Sequence, residues 1–159
     1  MKKVIILIPV YNDWESLNKL LEEINSNIKN ISNVKFDCLV VNDASTIEQP
    51  KIIRPEHIRS LKILNMKLNK GHARCNAFGI RYINSYENFD YLLLMDGDGE
   101  DRPVEIKTLI EKATNNQNNS VVAKRIKRSE GFLFQLLYKV HKLITLIFTG
   151  KKINFGNYS

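Results

Sequence analysis

The chain has 159 residues, 43% hydrophobic and 26% charged, which suits one soluble domain with a real core. Its two cysteines, Cys38 and Cys75, stand in apolar or helical settings without metal-ligand spacing, which argues against a disulfide framework and for a reducing compartment. The net charge of +7 is local: residues 1–120 balance, while 121–152 carries Lys124, Arg125, Lys127, Arg128, Lys139, Lys142, Lys151 and Lys152 against Glu130 alone.

Lys3 to Pro9 is a continuous Val- and Ile-rich run that reads as a buried strand. It ends at a proline and lacks a small-residue cleavage site, so it is not read as a signal peptide. Asn12 or Asp13 then caps a helix, with Glu15 in its first turn and Leu17, Leu20, Leu21, Ile24 and Ile28 on one face. Trp14, at its start, reads as packing. Phe36 to Val41 is a second buried strand, closed by the turn-forming cluster Asn42-Asp43-Ala44-Ser45-Thr46. Residues 47–60 read as irregular, because Pro50 and Pro55 interrupt any helix. Leu61 to Met66 is a third strand. Asn69-Lys70-Gly71 makes a turn, and a helix follows from His72 to Tyr86 with Ala73, Ala77 and Ile80 expected inward. Tyr91 to Met95 is a fourth strand. Pro103 suits a first helical position, and Ile106, Leu109, Ile110 and Ala113 continue one face. After a polar loop at 115–119, Ser120 to Ala123 is a short fifth strand. This alternation predicts right-handed βαβ units and an α/β fold, a mostly parallel sheet with helices on both faces.

Gly131 to Thr149 differs. Leu133, Leu136, Leu137, Val140, Leu143, Ile144 and Ile147 form a helical stripe, widened by Phe132, Phe134, Leu146 and Phe148. Lys139, His141 and Lys142 interrupt it centrally, so an amphipathic helix on a membrane surface fits better than a spanning one. A core or homo-oligomer interface helix is the competing reading. The basic block beside it points to phosphate groups or an anionic membrane surface, against a merely solvated face. No basic-aromatic interleaving or nucleic-acid motif supports a nucleic-acid partner.

The chemistry gathers after strands. Asp96-Gly97-Asp98, with Glu100 and Asp101 behind, closes the apolar run Tyr91–Met95. Acids this close repel unless a cation sits among them, and carboxylate oxygens suit Mg²⁺ or Mn²⁺. In a parallel sheet the segments Pro9-Val10-Tyr11-Asn12-Asp13, Asn42–Thr46 and Asp96–Glu100 open on one edge. Acids and amides there can bind a nucleobase and ribose, and a metal held by paired acids can neutralise a diphosphate. The usual glycine-rich phosphate cradles are absent.

At these residues the sequence resembles the family-2 glycosyltransferases of GT-A fold. The matching segments are Ile8-Pro9-Val10-Tyr11-Asn12-Asp13, Val41-Asn42-Asp43-Ala44-Ser45-Thr46, Asn69-Lys70-Gly71-His72-Ala73-Arg74-Cys75-Asn76-Ala77 and Met95-Asp96-Gly97-Asp98-Gly99-Glu100-Asp101-Arg102-Pro103. The Asp-x-Asp-x-Glu-x-x-Pro pattern is similar to that of the polyprenyl-phosphate sugar transferases, the dolichol-phosphate-mannose-synthase-like branch, as is Val122-Ala123-Lys124-Arg125 before an amphipathic helix. Departures are Asp13 for the family's Glu, one Asp at 43 where two are usual, and Glu100 for an amide. The resemblance implies that Pro9, Tyr11, Asp13 and Asp43 line the base and ribose pocket. It places Asp96 on the ribose or metal, Asp98 and Glu100 on Mg²⁺ or Mn²⁺, and Arg125 near phosphates. Asp98 and Arg125 would be the residues closest to the chemistry. Arg74 reads as a surface residue, and His72 as a loop residue with no assigned chemistry.

The resulting expectation is a GT-A nucleotide-sugar domain over 1–125, then a basic amphipathic element over 126–159 that begins an acceptor region and breaks off. The reaction implied is inverting, metal-dependent transfer of a sugar from a UDP- or GDP-linked donor to a polyprenyl phosphate. The site would be cytoplasmic, peripheral on the membrane face. Three alternatives stand beside it. One is a family-2 transferase acting on a glycan hydroxyl, its base lying further along. Another is a non-catalytic module binding nucleotide sugar or membrane. The third, a nucleotidyltransferase, usually has a Gly-rich basic loop after its first strand, unlike Tyr11-Asn12-Asp13-Trp14.

Overall fold

The computed structural model describes residues 1–116 and 119–123. They form β1 (Lys2–Val10), α1 (Trp14–Ile28), β2 (Val34–Asn42), β3 (Ile58–Asn65), α2 (His72–Tyr86), β4 (Tyr91–Leu94), a 3₁₀ turn (Pro103–Glu105) and α3 (Ile106–Asn115). Arg125, the basic block from Lys124 onward, the helix expected over 131–149 and the boundary at 125/126 lie outside the described residues. Among the described residues no helix is long and apolar enough to cross a membrane.

The four strands form one sheet in the order β3-β2-β1-β4. Every pairing is parallel, with Ile6 opposite Cys38 on one side and Leu93 on the other. Strands buried on both faces must be apolar throughout, and β1 is buried without a break from Val4 to Val10. Its alternate residues serve different layers. Ile5 and Leu7 join Leu39, Val41, Cys75 and Ile83 in a core beneath α2. Val4, Ile6 and Ile8 are equally buried and face the other way, where Val4 lines a cavity with Leu109 and Ile110 of α3, and α3 packs against α1.

Helix α1 follows its sequence pattern. Trp14, Leu17, Leu20, Leu21, Ile24 and Ile28 are buried, each worth about 1.5–3 kcal/mol for leaving water. Asp13 caps it, accepting from Ser16 N at 3.1 Å, and Trp14 packs in the core while its Nε1 donates to the Ile47 carbonyl.

Helix α2 has the expected limits but is rotated from the expected face. Ala73, Ala77 and Ile80 are exposed, and Cys75, Gly79 and Ile83 are buried. The reason is close approach. A Cβ on Gly79 would lie 2.5 Å from Leu7 Cδ1 and 3.1 Å from Val41 Cγ2, so the missing side chain lets the helix settle onto β1 and β2. Two other expectations are corrected. The third strand begins at Ile58 rather than Leu61, directly after a turn in which Ile58 N donates to the Pro55 carbonyl. Ser120 to Ala123 is not a strand: among the described residues it has no ladder partner. Asn119, Ser120 and Val121 instead border a cavity of about 320 Å³ beside β4 and α3.

Candidate active site

Parallel pairing brings the ends of β1, β2 and β4 to one edge. The chain runs outward from β1 through β2 to β3, then returns to place β4 on the other side of β1. That is a topological switch point, where open α/β sheets leave a crevice beyond the strand ends.

Three side-chain clasps and one close contact join the loops there. The first clasp is Asn12. Its backbone has φ 57°, a left-handed conformation that Asn tolerates better than most residues. Asn12 Oδ1 accepts from Thr46 N at 2.7 Å and Ile47 N at 3.1 Å, and Asn12 N donates to Ser45 Oγ at 2.9 Å. The β1 loop is thereby tied to the β2 loop. Asn42 stiffens the second loop from below, accepting from Ser45 N and donating to Asn65 Oδ1, both at 2.9 Å.

The second clasp is Asp43. It is 4% exposed. Its two oxygens accept separately from Lys70 N and Gly71 N, each at 2.8 Å. A buried carboxylate is tolerated when its lone pairs meet donors. Gly71 holds φ 82°, so the turn that delivers α2 needs both this glycine and this acid.

The third clasp joins α2 to the acidic loop. His72 Nε2 lies 2.7 Å from Asp96 Oδ1. Asp101, 4% exposed, takes Asp96 N on Oδ2 at 2.8 Å, and Asp98 Oδ1 takes Glu100 N at 2.9 Å. The ring closes at Gly97: a Cβ there would lie 2.7 Å from the Pro9 carbonyl oxygen. Only glycine lets the β4 loop lie this close to the end of β1.

The expected site residues thus share one edge. Pro9 is buried against Gly97, Tyr11 and Asp13 are exposed, Asp43 is buried beneath the Lys70-Gly71 turn, and Asp96 is half-buried. Asp98 and Glu100 are exposed on one loop. Their hard oxygens suit Mg²⁺ or Mn²⁺, but among the described residues no three His, Cys, Asp or Glu side chains gather as a metal-holding group. Two carboxylates would supply only part of such an ion's shell, the rest falling to waters and ligand oxygens.

The family model described as Glycosyl transferase family 2 matches residues 5–158. The chain belongs to this family. Among curated relatives it is 28% identical over 142 residues to the undecaprenyl-phosphate 4-deoxy-4-formamido-L-arabinose transferase of Photorhabdus laumondii, covering 85% of this chain and 40% of the relative. It is 26% identical to the protein of that name from Salmonella choleraesuis, covering 99% and 47%. The chain therefore spans less than half the length of these two relatives. Solved structures agree on the GT-A fold. A mannosyltransferase of Pyrobaculum calidifontis, in complex with GDP-Man and Mn²⁺, superposes with a TM-score of 0.57 at 17% identity, over 89% of this chain and 39% of that one. Residues 1–349 of S. aureus TarS give 0.55 at 18%, over 81% and 39%.

Within this family-2 edge, His72, Asn12 and Asp101 hold the loops together, and the sequence reading gave His72 no role. One signal was available. In a βαβ unit the helix starts at the edge where the strands end, so a polar residue at the first helical position faces the same crevice as the strand-end acids.

Proposed function

We propose that residues 1–125 form the donor-binding part of a metal-dependent, inverting glycosyltransferase that moves a sugar from a UDP- or GDP-linked donor to a polyprenyl phosphate. The observation that carries this is the clasped ring of loops at the β1/β4 switch point, which gathers Asp13, Asp43, Asp96, Asp98 and Glu100 on one edge. The names of the two arabinose transferases, which specify undecaprenyl phosphate, support the acceptor. The GDP-Man and Mn²⁺ in the Pyrobaculum structure support the donor and metal.

Tyr11 and Asp13, both exposed at the end of β1, are assigned to the base and ribose with Pro9 beneath them. Asp43 borders that pocket and shapes it through the Lys70-Gly71 turn; its carboxylate retains lone pairs that can accept a nucleobase N–H. Asp96 is assigned to the ribose or metal. Asp98 and Glu100 would hold Mg²⁺ or Mn²⁺, which when bound supplies positive charge against a departing diphosphate. A phosphate acceptor arrives ionised and needs little help from a general base. Arg125, outside the described residues, is assigned to phosphate. The basic and apolar segment after Val121 is assigned to the cytoplasmic membrane face, where a lipid phosphate is reached.

The test is sugar release from a panel of UDP- and GDP-sugars with Mn²⁺, with and without a polyprenyl phosphate. Release dependent on the lipid phosphate is expected. Transfer to a glycan hydroxyl would replace the acceptor, and binding without turnover would leave a donor-binding module.

A further inference from the structure

We propose that His72 is a positioning residue for Asp96: its Nε2–H fixes the Asp96 carboxylate at the mouth of the donor site. This rests on the nucleotide-sugar reading above.

A carboxylate only accepts hydrogen bonds, so the 2.7 Å contact between His72 Nε2 and Asp96 Oδ1 requires the proton on Nε2. Asn76, one turn further along α2, places its side-chain amide 3.0 Å from the same nitrogen, and its Oδ1 is buried without a partner. Two N–H groups cannot bond each other, so with the proton on Nε2 the Asn76 amide turns over and presents Oδ1 to the ring.

The placement has a physical purpose. Asp96, Asp98, Glu100 and Asp101 crowd four acids into six residues, and like charges push a free carboxylate away from its neighbours. The backbone of Asp96 is held by Asp101 Oδ2, and Gly97 is pinned against the Pro9 carbonyl. Those contacts fix the main chain and leave the Asp96 side chain its own rotamers. His72 selects one of them by holding Oδ1. His72 is itself placed by Asp43, which grips the two preceding residues through Lys70 N and Gly71 N. The sequence from β2 to β4 is therefore Asp43, turn, His72, Asp96. The His72 side chain is half exposed, so replacing it removes this bond without opening the core.

The test uses the full 159-residue chain and its His72→Ala and His72→Gln variants. Gln retains an N–H donor at the end of a side chain of similar reach. Long-range ¹H–¹⁵N spectra of the imidazole give the tautomer of the free protein. Calorimetry with GDP and with UDP, each in Mn²⁺, gives affinity. The expected result is a protonated Nε2 whose shift changes in Asp96→Asn, nucleotide affinity at least fivefold weaker in His72→Ala, affinity within twofold of wild type in His72→Gln, and unchanged circular dichroism in both. Three results overturn the proposal: a neutral ring with a bare Nε2, wild-type affinity in His72→Ala, or equal losses in Ala and Gln. If the wild type binds neither nucleotide, the nucleotide-sugar reading fails and the role of His72 falls with it. A protonated Nε2 in that case marks the reading, and not the contact, as the error.

Discussion

Replacing Asp43 by Ala removes two hydrogen bonds at once, because its oxygens accept from Lys70 N and Gly71 N at 2.8 Å each. A hydrogen bond to a charged group contributes about 1.5–3 kcal/mol. Lys70 and Gly71 are exposed, so water can replace part of what the two N–H groups lose. The carboxylate itself is 4% exposed, and the cavity left by its removal admits water less readily. The expected cost is therefore below the full sum, about 2–4 kcal/mol. Asp43→Asn keeps one acceptor oxygen and is expected to cost about 1–2 kcal/mol, one bond's worth. Urea denaturation followed by circular dichroism measures both. An Asp43→Ala loss under about 0.5 kcal/mol, the floor for an ordinary hydrogen bond, would refute the view that this acid holds the turn.

Three further outcomes follow from other residues. Gly97→Ala sets a Cβ 2.7 Å from a backbone oxygen that cannot swing aside, so it should cost about 1–3 kcal/mol of stability; a thermal midpoint equal to wild type would contradict the close contact. Burial alone would raise the pKa of Asp37, but hydrogen bonds and charge from Arg59 and Lys3 hold it below its ordinary value, and a hydrogen bond from Lys62 does the same for Glu87. A lowered folded pKa stabilises the protein above the unfolded value and is lost as pH falls through the folded one. Thermal midpoints should therefore fall below about pH 4, and the wild type and Asp37→Asn should converge there; parallel curves would argue against it. The chain should co-sediment with anionic vesicles in a salt-sensitive manner, with roughly 1 kcal/mol per basic residue at the surface, and lose most of that binding when residues 131–150 are deleted. An intact chain that ignores vesicles at low salt would withdraw the membrane assignment.

Much of this was legible in the sequence because its periods are clear. The unbroken apolar run of β1 and the Leu17–Ile28 stripe of α1 admit one reading each. Helix α2 offered two apolar stripes a small rotation apart, and pattern alone favoured Ala73, Ala77 and Ile80. The deciding fact was steric: Gly79 lets the helix reach Leu7, and a glycine has no weight in a hydrophobic pattern. The start of β3 was hidden by Pro55, whose turn hands directly into Ile58. Ser120–Ala123 had strand composition but, among the described residues, no partner strand, which local sequence cannot report. At the site, the strand-end acids were visible because each follows an apolar run. The clasps were not, since Asn12 meets Thr46, Asp43 meets Lys70 and His72 meets Asp96 only after the sheet has been assembled.

Under the proposed function this sheet edge binds a nucleoside diphosphate through a metal held by Asp98 and Glu100. Calorimetry of UDP and GDP, each with Mn²⁺ and with EDTA, in the wild type and Asp98→Asn, tests it most directly. At least one nucleotide should bind more tightly with Mn²⁺, and Asp98→Asn should remove most of the difference. Equal affinity with Mn²⁺ and EDTA, or a metal effect that survives in Asp98→Asn, would contradict it.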